Sequence, residues 1–483
     1  MKISLAIKSI VPKFNNKLIN NSAWSILSNI LQNLLLSIFF IIIARQYDKV
    51  DFANYIIANT IYSFILGFST LGLGYWFIRE MINTNEKKTL LHKFFKMQLY
   101  TGVLFYFVSV FISFVLYDDK VIRSLSVIIG INIIFDNLIY VIKYLNIAEL
   151  QQKKSFILLT IEAFLKFLIA CGLFFYHIPI EALVLILITL RLITLNLFIK
   201  YGSSNEFSLL EIISVKINFK EIKNIVGQNW SFVVIGSLSV VNWRIGNIFV
   251  SKYLSVDDVA NYEISFKLLS IAYILPVIVS STVYPMLLNA YKESLEKMKA
   301  IYIKAFLPFC LFGLLAFTFV YSFADNIIPY IFGDKFLDTS KYCKEMFLVM
   351  LIFPSVLLQA NVIITLKHEK LDMLCNIISL FINVLLCSVG LYYFKSLSVI
   401  NYAIVSSFFV FHIIQDVILV RKKIAEISHV LGFYIATIFA LSSYYFLSEK
   451  INNGYLFFIV WVIIGIAVIG RRIISNKKSN KNQ

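Results

Sequence analysis

The chain has 483 residues, of which 59% are hydrophobic and 15% charged, and its mean hydropathy is +0.82. A soluble domain of that size carries about 25% charged residues, so lipid must be the solvent for much of this surface. The formal charge of +17 would point to nucleic acid in a soluble protein, but here the bases sit in short loops between apolar runs, which sets a nucleic-acid partner aside.

Lys2, Lys8, Lys13 and Lys17 precede the first apolar run. No small-residue cleavage site follows that run. Residues 1–20 therefore read as a basic amphipathic segment on the inner membrane surface, drawn to anionic lipid, rather than as a cleaved signal. From Trp24 to Ile474 the apolar stretches recur, each near the roughly 20 residues that a helix needs to cross a bilayer core about 30 Å thick. They lie at roughly 21–44, 54–78, 97–117, 121–145, 156–176, 180–200, 228–251, 260–288, 301–324, 343–366, 371–393, 397–420, 430–448 and 454–474. Nothing between them is long enough to fold alone, the longest outer loop being 325–342. Helix satisfies its own backbone within each span. The alternating segments of a membrane β-barrel are absent. The sequence thus predicts an all-α polytopic membrane protein with about 14 transmembrane helices.

The loops set the orientation. The N-terminus, the even-numbered loops and the C-terminus hold about 30 Lys and Arg against about 10 on the other side, which places both termini in the cytoplasm.

A local pattern occurs twice. Trp24-Ser25, an apolar span and Arg45 lead to Asp51-Phe52-Ala53-Asn54-Tyr55. Trp230-Ser231, an apolar span and Lys252 lead to Asp258-Val259-Ala260-Asn261-Tyr262. Six spans separate the copies, so the halves read as parallel repeats about an axis along the membrane normal. The expected organisation is an N-terminal helical lobe over 1–210, a second lobe over 211–425, and an additional helix pair with a basic tail over 426–483. Ser255-Val256-Asp257-Asp258 has the spacing of a capping box and Asp48-Lys49-Val50-Asp51 a weaker version of it. These acids, and Asp118-Asp119 in another short turn, read as helix caps rather than as chemistry.

Inside the spans, charge is costly and usually faces a cavity or a partner. The buried bases are Lys166, Arg191, Arg244 and Lys267. Arg191 has no acid within four residues. Lys166 follows Glu162 by one turn, as in a structural bridge, and Glu263 stands likewise before Lys267. Asp136 is the clearest mid-span acid, while Asp416 lies within reach of Arg421 or Lys422. Asp136, Glu162 and Asp416 are the candidate coupling or pairing acids. Asn29, Gln32 and Asn33 share one helix face and Asn376 and Asn383 another, with Gln359 and Asn361 in the tenth span; they suit interhelical hydrogen bonds or a wet cavity. Pro276, Pro285, Pro308 and Pro354 interrupt spans, and Gly67, Gly72 and Gly74 allow close approach. Cys171, Cys310, Cys343, Cys375 and Cys387 are scattered without a CxxC pair, which gives neither a metal site nor a disulfide framework. No nucleotide-binding signature occurs, so no cofactor is expected.

Three segments resemble the Wzx-type O-antigen and polysaccharide flippases of the multidrug/oligosaccharidyl-lipid/polysaccharide (MOP) exporter superfamily. They are Ile43-Ala44-Arg45 with Phe52-Ala53-Asn54-Tyr55, then Leu71-Gly72-Leu73 with Arg79-Glu80, then Trp230 through Arg244 and Tyr262 to Lys267 and Pro276. The chain departs from the family at Tyr47-Asp48, where Leu-Gly is usual, and at Ala53 and Ala260, each at a family Gly. Gly246 stands where the family often has Asp, which removes an acid able to take part in cation coupling. The resemblance implies two six-helix bundles around a central cavity, with alternating access, in a bacterial inner membrane. It also implies a polyprenyl-diphosphate-linked oligosaccharide, such as an O-antigen or capsule repeat unit, as the cargo moved to the outer leaflet, with polysaccharide assembly proteins as partners.

A hydrated, anionic head group cannot cross hydrocarbon unaided, and Arg and Lys offer it charge-assisted hydrogen bonds. Arg191, Lys166, Arg244 and Lys267 are therefore expected to form its anionic site. A multidrug cation exporter of the same superfamily would favour buried acids. A membrane glycosyltransferase or polymerase would need catalytic groups on a sizeable outer loop. Neither pattern fits as well, and the chain reads as a non-enzyme.

Overall fold

The computed structural model describes residues 16–149, 151–202, 219–450 and 454–481. Residues 1–15 of the expected basic segment, and the expected lobe boundary at 210, lie outside them. Among the described residues the chain is helical, without strands, as a backbone in lipid must be. Ten helices are long and apolar enough to cross a membrane, and Ile30–Gln46 and Gly454–Val468 are shorter apolar helices.

The chain divides into two compact units, Met1–Ala260 and Asn261–Gln483. The first contains α1 (Asn16–Gln46), α2 (Lys49–Ser69), α3 (Gly74–Asn83), α4 (Lys87–Leu116), α5 (Lys120–Gly130), α6 (Asn132–Ala148), α7 (Gln152–Gly172), α8 (Ile180–Leu197), α9 (Phe219–Gln228) and α10 (Trp230–Tyr253). Helix α1 packs along α7, α4 along α6, and α2 against α5 and α10. Leu73, Phe77, Phe94, Ile142 and Phe198 anchor a buried core there.

The expected second span, 54–78, is broken between α2 and α3. Leu71 and Gly72 both take left-handed backbone, with φ of 53° and 59°, which ends one helix and redirects the next. Gly74 opens α3 against α6: its N–H donates to the Tyr140 hydroxyl at 2.8 Å, and a Cβ there would run into the Tyr144 ring.

The caps form as the sequence predicts. Asp48 accepts from Asp51 N at 2.7 Å, and Asp119 accepts from Val121 N and Ile122 N. Ser255 Oγ accepts from Asp258 N at 3.2 Å while Asp258 accepts from Ser255 N, a reciprocal capping box. Lys49 also pairs with Asp257 at 3.3 Å, so the two repeated loops meet.

Helix α11 (Val256–Glu293) runs from the first unit into the second, which continues with α12 (Leu295–Phe332), α13 (Thr339–Phe347), α14 (Phe353–Thr365), α15 (Glu369–Phe394), α16 (Leu397–Arg421), α17 (Ile427–Tyr444) and α18 (Gly454–Lys481). Pro276 and Pro285 lie inside α11, and Pro308 and Pro329 inside α12. Pro354 interrupts the span Thr339–Thr365 as expected: the helix gives way to a 3-10 turn at Leu348–Leu351 and restarts as α14 with Pro354 in its first turn, where the missing N–H costs nothing. Residues 325–342, expected as the longest loop, are mostly helical, because α12 extends to Phe332.

Candidate functional site

In the first unit, α1, α2, α6, α7 and α8 bring polar side chains to one cavity of about 300 Å³. Tyr55, Asn59 and Tyr62 line it from α2 at helical spacing, and Val184, Leu187, Ile188 and Arg191 do so from α8. Glu162 and Lys166 come from α7, Asn132 from the start of α6 and Gln32 from α1. Gln32 also ties α1 to α7 by donating to Thr160 Oγ1 at 3.1 Å.

Arg191 is the centre of an ion network. Its Nε donates to Asp136 Oδ1 at 2.8 Å, its Nη2 donates to the same oxygen, and its Nη1 donates to Glu162 Oε2. The other oxygen of Asp136 accepts from the Tyr62 hydroxyl. The other oxygen of Glu162 pairs with Lys166 Nζ at 2.7 Å. The side chains of Asp136 and Glu162 are only 7% and 5% exposed. Each carboxylate is thus held at both oxygens, which offsets the cost of placing charge in an apolar bundle.

Donor capacity survives this pairing. A guanidinium has five N–H groups and an ammonium three. Three of Arg191's donors and one of Lys166's are engaged by these acids, and both residues line the cavity. Lys143 stands behind this network. It lies two turns beyond Asp136 on α6, half-buried, within the field of Arg191, Asp136 and Glu162. Among the described residues no acid forms an ion pair with it. Lys143 is not among the residues that line the cavity.

Of the residues singled out in the sequence, Arg191, Lys166, Asp136 and Glu162 come together here. Arg244 and Lys267 are half-buried on α10 and α11 and line neither of the two cavities described. Asp416 lies in the second unit. It meets neither Arg421 nor Lys422, which are exposed. Instead it accepts from Gln359 at 2.7 Å and from Tyr434 at 2.9 Å, and lies 3.0 Å from His412 Nδ1. Lys143 was passed over because it sits at the end of an expected span. His412 stands four residues before Asp416, on the same helix face, and that spacing could have disclosed it.

A second cavity, of about 580 Å³, opens among α12, α17 and α18, with Tyr302, Phe306, Leu311, Phe433, Trp461 and Ile464 on its walls. Its lining suits a hydrocarbon chain rather than a hydrated group.

A family model described as "Polysaccharide biosynthesis protein" matches residues 42–341. No curated protein matches the chain. Among solved structures, the lipid II flippase MurJ in an inward closed conformation superposes with a TM-score of 0.71 at 15% identity, covering 94% of this chain and 99% of that one. An inward-facing multidrug resistance MATE family transporter of the MOP superfamily gives 0.67 at 13% identity, covering 81% and 94%. A MOP-superfamily transporter from Pyrococcus furiosus gives 0.57 at 12% identity, covering 84% and 95%.

Proposed function

We infer the function from one premise: the chain belongs to the polysaccharide biosynthesis protein family, and its fold is that of the MOP-superfamily transporters. It is a multi-pass membrane protein. We propose that it moves a polyprenyl-diphosphate-linked oligosaccharide, an O-antigen or capsule repeat unit, from the cytoplasmic to the outer leaflet of a bacterial inner membrane by alternating access.

The observation that carries this reading is the pair of bases at the first unit's polar cavity, Arg191 and Lys166, which reach it with donors to spare. Such a set binds phosphate oxygens by charge-assisted hydrogen bonds. The acids Asp136 and Glu162 orient the two bases. Tyr55, Asn59, Asn132 and Gln32 suit sugar hydroxyls.

The test is reconstitution in liposomes with a fluorescent polyprenyl-diphosphate disaccharide. The purified protein should carry the probe across without changing its glycan length. Lys166→Gln, at normal expression, should slow it by about tenfold, the loss of one charge-assisted contact. A full rate in that variant would overturn the anionic site. Transport of an organic cation instead would replace the cargo class.

A further inference from the structure

We propose that His412, Asp416 and Tyr434 form a proton-binding site in the second unit, and that its occupancy fixes α17 to α16. The proposal rests on the transporter reading only for what the proton drives.

Asp416 and His412 face the same side of α16, one turn apart, with side chains 5% and 0% exposed. Asp416 accepts from Gln359 of α14 and Tyr434 of α17. His412 Nδ1 lies 2.7 Å from the Tyr434 hydroxyl and 3.0 Å from Asp416 Oδ2. Both neighbours are oxygens, and the Tyr434 proton is already given to Asp416. Nδ1 therefore carries the ring's hydrogen, since a lone pair there would face a carboxylate. Nε2 is left with its lone pair, fully buried and without a partner among the described residues.

The surroundings supply no fixed positive charge. Helix α12 presents Tyr302 and Cys310 toward Asp416. Helix α15 presents Asp372 and Cys375 beyond Gln415. Helix α14 contributes no titratable side chain, and α17 contributes Tyr434. No lysine or arginine pairs with Asp416 among the described residues. With His412 neutral, the cluster holds one uncompensated carboxylate inside the bundle, a costly state. A proton passed from hydronium to Nε2 leaves water behind, turns the imidazole into imidazolium and brings the cluster to neutrality. A metal ion fits poorly, because Asp416 already receives N–H and O–H donors where such an ion would need free lone pairs.

The site also touches a wall of the apolar cavity in its own unit. Phe433 packs on the His412 ring with centroids 4.8 Å apart, and the same Phe433 forms a wall of the apolar cavity. An imidazolium would gain attraction to that ring face as well as to Asp416. Protonation thus strengthens two consecutive contacts, at Phe433 and Tyr434, that hold α17 in place. Deprotonation weakens both. Proton occupancy then sets how firmly one wall of the cavity is held, which is the coupling an alternating-access cycle requires.

Two cargo-independent measurements decide the site. The chain has five histidines, so solid-state NMR of the full protein in lipid, with 15N-labelled histidine, resolves few signals. Lowering the pH from 8 to 5 should convert one signal from neutral to doubly protonated, with that signal missing in His412→Gln. In Asp416→Asn it should stay neutral. Hydrogen exchange across residues 427–444, corrected for its intrinsic pH dependence, should be several-fold slower at pH 5 than at pH 8. This difference should vanish in His412→Gln and shrink in Tyr434→Phe. A His412 signal that keeps one form, titrates alike in Asp416→Asn, or shifts with sodium at constant pH would overturn the proposal. So would exchange that ignores pH. In proteoliposomes an acid-side pH gradient should speed movement of the polyprenyl-diphosphate probe in wild type and not in His412→Gln; unchanged acceleration in the variant would also overturn it. If wild type moves no probe, the transport reading fails, while the two spectroscopic outcomes still decide the proton site.

Discussion

Each unit buries carboxylates in a helical bundle, and the two solve the resulting electrostatic problem differently. In the first, Asp136 and Glu162 are held by Arg191 and Lys166. Arginine stays protonated at any physiological pH, so the partner of these acids keeps its charge. In the second, Asp416 has only neutral donors and one histidine around it. Its balance then depends on whether that histidine holds a second proton, as proposed above. On the readings proposed above, the contrast separates two jobs: a fixed network shapes a site for a ligand, and a histidine-bearing one answers to protons. Burial alone does not distinguish them; the identity of the partner does.

The comparison can be broken most forcefully at Arg191. Arg191→Gln leaves two buried carboxylates facing each other with Lys166 alone, and removing one partner of a buried ion pair costs about 3–5 kcal/mol. Thermal unfolding in detergent should show that loss at every pH from 5 to 8. Adding Asp136→Asn should restore part of it, with a coupling of about 1–3 kcal/mol in a double-mutant cycle. Additive losses would show that the two residues do not share a network.

Asp416→Asn should be milder. It exchanges hydrogen bonds to a charged acceptor for weaker neutral ones, a difference of about 1–2 kcal/mol. Thermal unfolding in detergent should show this smaller loss beside that of Arg191→Gln, which sharpens the contrast between the clusters. Equal losses would erase it.

Tyr434→Phe removes one hydroxyl shared by Asp416 and His412 and should cost about 1 kcal/mol. The smallest effect belongs to Lys166→Gln. That side chain is 24% exposed and Glu162 keeps Arg191, so the stability change should stay within about 0.5 kcal/mol, as for other i,i+4 pairs. A loss as large as that of Arg191→Gln would make Lys166 an equal partner and recast the network around Glu162.

Several of these features are legible in the chain. The apolar runs give helices because lipid leaves the backbone no other partner. The caps at Asp48, Asp119 and Ser255 are local, since donor and acceptor stand two or three residues apart. The Glu162–Lys166 pair follows from i,i+4 spacing for the same reason. The break at Leu71-Gly72 was hidden because hydropathy carries no sign of backbone handedness.

What the sequence determined by itself is therefore whatever one helix can arrange alone: membrane spans, caps, and pairs one turn apart. Only the tertiary structure decided that Arg191 would meet Asp136 and Glu162, which lie 55 and 29 residues away, and that Asp416 would meet Gln359 and Tyr434 instead of the nearby Arg421. Such partners are chosen by which helix faces come together. That choice follows from packing of apolar surfaces whose pattern says little about the few charges set among them.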